Sequence, residues 1–430
     1  MTTQLSARRL LKRLRLPEID QANQEAVQRM IEAEPVLVDF RPAREVIPDM
    51  TERTIQHAGP PVEWGRRSGA QKGGILGTIM LEGLADTPEE AEQLVLRGAV
   101  ELVPNHHRST VGSMAGIISP SLPMWVVRNR KHGNYAYCTL ETPLSFGGFD
   151  REALEILRWQ RDVMQHVLGP ALASSNGIEL NPITVQALHS GDDCHQRFDV
   201  SSQILTLELT KVMLESDAEK AGILEVMKYL YGDHMLFLGV CMAACKAITD
   251  AAYNVKNSTV VTAFARNGTE CGIRVSGTGE RWFTGPANLI TDEGIYFPGY
   301  SSEDAGLDIG DSAITEAAGL GGCAIYAAPT HWPFFGKNPE PKAREAQEKM
   351  WALSVAKHPM FTIPSLDYQG TAMGIDVRKV VEVGYEPILT TAIAPKDPVK
   401  IGRMIGAGLG RAPMSAFEDA VEAFAEMLGV

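Results

Sequence analysis

A glycine-rich stretch, Thr262 to Phe283, carries the side chains best suited to binding a small anion. Arg266, Asn267 and Arg274 lie in this stretch among four glycines. Arginine presents a planar fork of donors that matches carboxylate and phosphate, and glycine lets the backbone approach a ligand closely. The stretch therefore predicts an anion site, although an ordinary hairpin with solvated arginines would fit the same residues.

The stretch from His189 to Arg197 concentrates titratable side chains: two histidines, two aspartates, a cysteine and an arginine within nine positions. Histidine beside carboxylate is the pairing that general acid–base catalysis or a metal site needs. We predict catalytic roles for Asp193 and His195, with a polar loop between helices as the alternative. If a divalent metal binds, the candidate ligands are His189, Asp193, His195 and His234.

Asp233 and His234 stand directly before the apolar run Met235 to Ala244. Asp233 is predicted to cap a helix, with His234 in its first turn. There the positive helix end would keep the imidazole neutral and able to accept a proton, so both residues are catalytic candidates. A plain helix cap is the alternative for Asp233.

His106 and His107 follow an apolar strand. Adjacent side chains on an extended chain point to opposite sides, so we expect one of these histidines to face a site and the other to face away. Both are kept as catalytic candidates, and one buried and one exposed structural histidine is the alternative.

Two further candidates lie in the C-terminal part of the chain. Asp311 belongs to an acid-rich segment that lacks the calcium-loop spacing, so Asp311 or Ser312 is expected to cap a helix. Asp311 is also a candidate substrate-binding residue. Arg378 and Asp376 would share one side of a predicted strand, and Arg378 is a candidate ligand for an anionic substrate.

The elements that position these side chains predict an α+β protein. The first third alternates strand and helix, with a capping box from Thr87 to Glu90. Residues 150–254 are predicted to be helical, and strands with glycine-rich loops return afterwards. The chain therefore divides into two mixed α/β domains, residues 1–149 and 255–430, with an inserted mainly helical domain at residues 150–254.

Composition excludes several classes of protein. The formal net charge of −13 and the lack of a long basic stripe argue against a nucleic-acid partner. No apolar run reaches the ~20 residues that span a bilayer, so no membrane partner is expected. Six scattered cysteines without a CxxC pair predict a reducing compartment, and hence a cytoplasmic protein. Cys241 and Cys245, four residues apart, are expected to be small core residues.

Longer strings of the sequence resemble the YlbE-like family, among them ALHSGDDCHQR, GDHMLFLGVCMAACKA, ARNGTECGIRVSGTGERWFT and TAMGIDVRKVVE. This family includes a subunit of the oxamate carbamoyltransferase of allantoin breakdown. The resemblance implies carbamoyl transfer between oxalurate or oxamate and phosphate, in a complex with FdrA-like subunits. The chain departs from the family pattern at Asn105, where cysteine is expected before the two histidines.

We therefore predict a catalytic subunit that acts on a small anionic carbamoyl or ureido compound and forms a homo-oligomer. The arginines, Asn267 and Asp311 would bind the substrate, and one histidine, oriented by an aspartate, would move a proton at the amide nitrogen. Metal-assisted hydrolysis of a cyclic or linear ureide is one alternative, and a non-catalytic scaffold or ligand-binding subunit is another. The main hypothesis requires the stretch Thr262 to Phe283 to lie next to both Asp192–His195 and Asp233–His234 in the folded chain.

Overall fold

The computed structural model describes residues 7–397 and 403–429. Helices and several separate sheets alternate along the chain, so the predicted α+β class is confirmed. No helix in this described part is long and apolar enough to cross a membrane.

The N-terminal segment alternates strands with helices. Its strands are β1 (Pro35–Pro42), β2 (Thr54–His57), β3 (Glu101–Pro104), β4 (Thr110–Val111), β5 (Pro123–Asn129) and β6 (Tyr135–Thr139). Its helices are α1 (Pro17–Ile31), α2 (Ala43–Val46), α3 (Gly69–Leu81) and α4 (Pro88–Leu96). Strands β2 and β3 run parallel and are connected through α3 and α4, so their carboxyl ends, His57 and Pro104, lie side by side.

The middle segment is mainly helical. It contains α5 (Arg151–Trp159), α6 (Gln165–Ser174), β7 (Ile178–Glu179), α7 (Leu180–His189), α8 (Asp199–Leu214), α9 (Lys220–Gly232) and α10 (Leu236–Asp250). Residues 236–249 of α10 are all buried, as expected for a helix that is apolar on every side. Helix α10 packs against β5 and β6 and reaches β8 (Val261–Asn267), so it joins the middle segment to both flanking segments.

The C-terminal segment continues from β8 with short strands. They are β9 (Glu270–Val275), β10 (Trp282–Pro286), β11 (Gly294–Tyr296), β12 (Ile309–Gly310), β13 (Ser354–Ile363), β14 (Gln369–Ile375), β15 (Ile388–Ile393) and β16 (Gly406–Arg411). Its helices are α11 (Ile314–Ala317), α12 (Pro339–Leu353), α13 (Val377–Val383) and α14 (Met414–Leu428).

The strands form one five-stranded sheet in the order β4-β6-β5-β1-β7 and one four-stranded antiparallel sheet in the order β10-β9-β8-β12. A third sheet has the order β11-β16-β15, and β13-β14 and β2-β3 are two-stranded pairs. The largest group of buried apolar residues draws on all three predicted segments, for example Trp125, Leu209 and Phe264. The three-domain division therefore stays a prediction.

Of the helix caps predicted at Thr87 and Asp233, the first is confirmed and the second is wrong. The Thr87 hydroxyl accepts a hydrogen bond from the Glu90 amide at the start of α4, as predicted. Asp233 does not cap α10, because the N-cap is Met235. The Asp233 carboxylate instead accepts from the Met235 amide at 2.9 Å, so His234 lies in the turn before the helix.

Asp311 also does not cap a helix. The helix that follows it, α11, has Ala313 as its N-cap and receives no side-chain cap. The Asp311 carboxylate is turned away from α11 toward the ends of β2 and β3, where distant backbone amides compete for it. All six cysteines are free and buried, which confirms the core positions predicted for Cys241 and Cys245.

Candidate functional site

A buried group of polar side chains lies where β2 and β3 end. We call it the Asp311 cluster and define it as Asn105, His106, Lys246, Arg274 and Asp311. The two N-terminal members lie in the single 3-10 turn that follows β3. Lys246 comes from α10 and Arg274 from β9, so three parts of the chain meet here.

Asp311 is the centre of this cluster. Its Oδ1 accepts from the Gly59 amide at 2.8 Å, and its Oδ2 accepts from Asn105 Nδ2 at 2.8 Å and the Gly112 amide at 3.1 Å. Burial raises the pKa of the Asp311 carboxyl to about 6, against the lowering effect of these donors. Gly59 has a φ of 81°, and a Cβ there would strike the backbone of Arg266, so the close approach requires glycine.

His106 is a neutral imidazole with free ring nitrogens. Burial, Lys246 and Arg274 hold its pKa well below the usual value. Nε2 lies 3.5 Å from Asp311 Oδ1, and neither ring nitrogen has a hydrogen-bond partner within the described residues. The ring packs edge-on against Trp282 at a centroid distance of 5.5 Å. A neutral imidazole in this position can accept a proton from a ligand.

Two cationic side chains complete the cluster. Lys246 Nζ donates to Asp250 at 2.5 Å, and burial lowers the lysine pKa while Asp250 opposes that effect. Arg274 Nη1 donates to the His106 carbonyl oxygen at 2.9 Å, and the guanidinium lies 5.8 Å from the Trp282 ring centre. Both cations sit in a buried environment where charge interactions are strong, so they favour an anionic ligand.

Unpartnered polar atoms are concentrated in this region. Within the described residues, thirteen buried side-chain nitrogen and oxygen atoms have no hydrogen-bond partner. Four of them belong to the cluster: Asn105 Oδ1, His106 Nδ1, His106 Nε2 and Arg274 Nε. Buried polar atoms are normally paired, and leaving one unpaired costs about 1–3 kcal/mol. The concentration marks a place built to bind a polar ligand.

A cleft of about 660 Å³ lies on the outer side of the cluster, lined in part by His107, Arg108 and Glu280. The His107 ring accepts from Trp282 Nε1 at 3.0 Å, so His107 reaches the cluster through Trp282. Of the two adjacent histidines, His106 is buried and His107 half-buried. They lie in a 3-10 turn instead of on the extended chain that the sequence suggested.

Asp193 and His195 belong to a second buried group, which we call the Asp193 network and define as Asp193, His195, Glu316, His331 and Thr390. Asp193 Oδ1 accepts three backbone amides, those of residues 195, 196 and 197. Glu316 Oε1 accepts from His195 Nδ1 at 2.8 Å and from the amides of Gly322 and Thr390 at 2.9 Å each. Burial would raise the pKa of Asp193, but His331, His195 and the amides hold it well below the usual range. The network fastens four segments of the chain together.

Arg266 and Asn267 are used inside the protein. Arg266 is fully buried and paired with Asp308 at 3.1 Å, with a further bond to the Thr391 hydroxyl at 3.1 Å. It lies near enough to Asp311 to lower the pKa of that carboxyl. Asn267 accepts the amides of Thr269 and Glu270, which closes the turn between β8 and β9. Neither side chain is counted in the Asp311 cluster, although Arg266 Nη1 has no hydrogen-bond partner among the described residues.

Arg378 lies in a different part of the molecule from the cluster. It pairs with Asp376 at 2.9 Å and Asp20 at 2.7 Å and donates to the Leu14 carbonyl oxygen. It stands on helix α13, not on a strand as predicted. These bonds fasten α13 to the N-terminal helix, which leaves Arg378 without a role in the candidate site.

The four candidate metal ligands are not brought together. His189 is exposed, and its Nε2 lies 2.8 Å from the Thr362 hydroxyl. His234 lines a surface groove with Asp233, whereas Asp193 and His195 are buried in their network. Among residues 7–397 and 403–429, no group of three or more histidines, cysteines or acids is arranged to hold a metal ion. The stretch Thr262–Phe283 was expected to lie beside His195 and His234. In the structure its Arg274 contacts His106 instead, through a hydrogen bond to the His106 carbonyl oxygen.

The sequence reading missed Lys246 as a functional residue and did not select Asn105. Lys246 is the one charged residue between Leu236 and Thr249, and it follows the apolar run Met235 to Ala244 that was predicted to be helical. A lone charge inside such a helix is a signal that could have identified it, because burying an unpaired charge is costly. Asn105 was noted only as a departure from a family pattern.

Comparison with known proteins gives consistent matches. Residues 100–312 match the family model described as oxamate carbamoyltransferase subunit AllG. Oxamate carbamoyltransferase subunit AllG of Escherichia coli (strain K12) is 41% identical over 418 residues, which cover 96% of this chain and 99% of that protein. The uncharacterized protein YahG of the same strain is 40% identical over 96% of this chain and 87% of its own length.

A solved structure also matches over nearly the whole chain. It is the crystal structure of a conserved protein of unknown function from Enterococcus faecalis V583, with a TM-score of 0.91 and 42% identity. The superposition covers 95% of this chain and 98% of that one. The fold described above is therefore shared by a protein that has been observed experimentally.

Proposed function

This chain belongs to the family of oxamate carbamoyltransferase subunit AllG, and we propose that its Asp311 cluster is the substrate-binding and catalytic centre of a carbamoyltransferase. The family relationship supports a role in allantoin degradation. The proposed substrate is oxalurate with phosphate, and the proposed products are oxamate and carbamoyl phosphate.

The observation that carries this proposal is the meeting of Lys246 and Arg274 with unpaired, buried hydrogen-bonding atoms. Phosphate and oxalurate are both anions, and the cluster offers two cations to them. Asn105 Oδ1 is an unpaired acceptor, which suits the amino group of a carbamoyl. A cluster of this kind is complementary to a small ligand that is both anionic and amide-like.

The residues of the Asp311 cluster have distinct roles in the proposed reaction. A phosphate oxygen attacks the ureido carbonyl carbon, the bond from that carbon to the oxamate nitrogen breaks, and this nitrogen takes up a proton. Lys246 and Arg274 stabilise the negative charge that develops on the carbonyl and phosphate oxygens. The neutral His106 takes the proton from the attacking phosphate and returns it to the leaving nitrogen. Asp311 positions Asn105 and the two glycine loops around the substrate.

The test is an assay of carbamoyl phosphate formation from oxalurate and phosphate by the assembled enzyme. Lys246→Met and Arg274→Met are each expected to lower the rate by about 100-fold or more, because each removes a cation from the transition state. Lys379→Met is the matched control, since Lys379 is a half-buried lysine on α13 that donates to the carbonyl oxygen of Ser354 at the start of β13.

Two outcomes would contradict the proposal. Near-normal rates in folded Lys246→Met and Arg274→Met would leave this chain as a non-catalytic subunit. Consumption of oxalurate at an equal rate without phosphate would show hydrolysis in place of transfer.

A further inference from the structure

Helices α8 and α9 present an apolar face to solvent. The start of α8 lies beside the end of α9, where the Ser202 hydroxyl donates to the His234 carbonyl oxygen, so the two helices run antiparallel. Leu207 and Leu214 on α8 are each 66% exposed, and Leu224 and Tyr231 on α9 are 49% and 75% exposed. In each helix the two positions are seven residues apart and therefore share one side. Exposed apolar faces of this kind mark interaction sites.

A groove of about 420 Å³ runs between the two helices at one end of this face. Leu207 and Tyr231 line it from opposite sides, and Asp199 and Asp233 close its end. A groove with apolar sides between two antiparallel helices is the shape that accepts a third helix.

The closed end of the groove contains one carboxyl group without a lysine or arginine partner. Asp199 is paired with Arg197 at 3.1 Å, whereas Asp233 has no such partner among the described residues. Burial raises the pKa of Asp233, against the lowering effect of the Met235 amide and His234. Burial together with the nearby Asp233 raises the pKa of Glu141 to about 7, so both carboxyl groups are shifted toward their neutral forms. A cation supplied from outside would favour the ionised form of both and would form a charge pair with Asp233.

The opposite end of the face is also acidic. The loop that joins α8 to α9 carries three exposed carboxylates, Glu215, Asp217 and Glu219. Two exposed lysines, Lys211 and Lys220, flank them, so this end keeps a net negative charge. A second copy of this chain, in either orientation across the face, would therefore bring acidic ends against acidic ends. Like charges in such a position are unfavourable, which disfavours a second copy as the occupant.

We propose that the α8–α9 face is the docking surface for another subunit of the enzyme, which presents an apolar helix with basic side chains toward its two ends. The identity of that subunit rests on the proposed function, whereas the chemistry of the contact follows from the face itself. One basic side chain enters the groove between Leu207 and Tyr231 and pairs with Asp233.

The test is co-expression of the tagged full-length chain with the other subunits of the carbamoyltransferase, followed by size-exclusion chromatography with mass measurement. The double substitution Leu207→Asp with Tyr231→Asp is expected to abolish the complex, because both carboxylates would be buried against an apolar helix. Leu96→Asp is the matched control, since Leu96 is 60% exposed on α4. Asp233→Asn is expected to weaken assembly by roughly tenfold and to reduce its dependence on salt.

Three outcomes would overturn the docking proposal: a complex of normal mass with the double variant, a wild-type chain that forms no complex, or a homodimer that the double variant dissociates. Lys246→Met keeps this result separate from the catalytic proposal. It should assemble normally and be inactive, so a failure of docking and a failure of catalysis would be recognised independently.

Discussion

The Asp311 cluster and the Asp193 network are built from the same residue types but differ in how their polar atoms are satisfied. In the network, the Asp193 and Glu316 carboxylates accept backbone amides from several loops, and His195 is paired with Glu316. Its one unpartnered side-chain atom among the described residues is His331 Nδ1, which lies 3.4 Å from Asp193 Oδ2. In the cluster, both nitrogens of His106 and one atom each of Asn105 and Arg274 have no partner in the described part of the chain.

This difference separates a group that holds the fold together from one that can hold a ligand. Histidine near carboxylate predicts chemistry in both places, and from sequence the stretch around Asp193 had more titratable residues than the stretch around His106. Saturated carboxylates have no remaining capacity for a substrate, whereas unpaired buried donors and acceptors gain a bond when one enters.

The largest effect expected from this comparison is on catalysis at His106. His106→Phe should lower the rate of carbamoyl transfer by roughly 1,000-fold, because it removes the proton carrier. Thermal unfolding should change little, since the imidazole nitrogens have no hydrogen bonds to lose. A large loss of stability with the rate per folded molecule unchanged would remove His106 from the mechanism.

The next effect is on stability at Asp193. Asp193→Asn replaces a buried anion that faces His331 and three amides, so it should lower the free energy of unfolding by roughly 3 kcal/mol. Urea titration measures this loss, and the activity per folded molecule should stay near that of the wild type. Normal stability combined with lost activity would assign catalysis to the network and reverse the comparison.

The smallest effect is on how the free energy of unfolding depends on pH. Asp193 and Asp311 contribute to this dependence with opposite signs. The pKa of Asp193 is lowered by folding, so its contribution to stability is present above the unfolded pKa of about 4 and is lost only as the pH falls through the folded value. The pKa of Asp311 is raised to about 6, so its contribution is greatest below about pH 4 and is lost as the pH rises through about 6.

Asp311→Asn should therefore flatten the fall in unfolding free energy between pH 4 and 6, while Asp193→Asn should flatten the fall at lower pH. The activity profile gives a second measurement, with an inflection near pH 6 that Asp311→Asn removes and Asp193→Asn keeps. An inflection that persists in Asp311→Asn would show that another group titrates there.

Patterns carried by neighbouring residues were read correctly from the sequence. The Thr87 cap joins residues three positions apart, and the run from Met235 to Ala244 is apolar on all sides, so both follow from local chemistry. The capping roles predicted for Asp233 and Asp311 were wrong, because each carboxylate had other donors within reach. For Asp311 those donors come from remote parts of the chain.

The sequence by itself determined the α+β class, the buried helix that carries Lys246 and the set of side chains able to bind an anion. Only the tertiary structure decided which of them meet. Asp311 receives the Gly59 amide across 252 positions, and Arg274 reaches the His106 carbonyl oxygen across 168. Such contacts depend on how β2, β3, β9 and α10 pack together. Residue type and spacing indicate which hydrogen bonds and charge pairs a side chain can form. The packing of elements distant in sequence decides which partner it has in the folded protein.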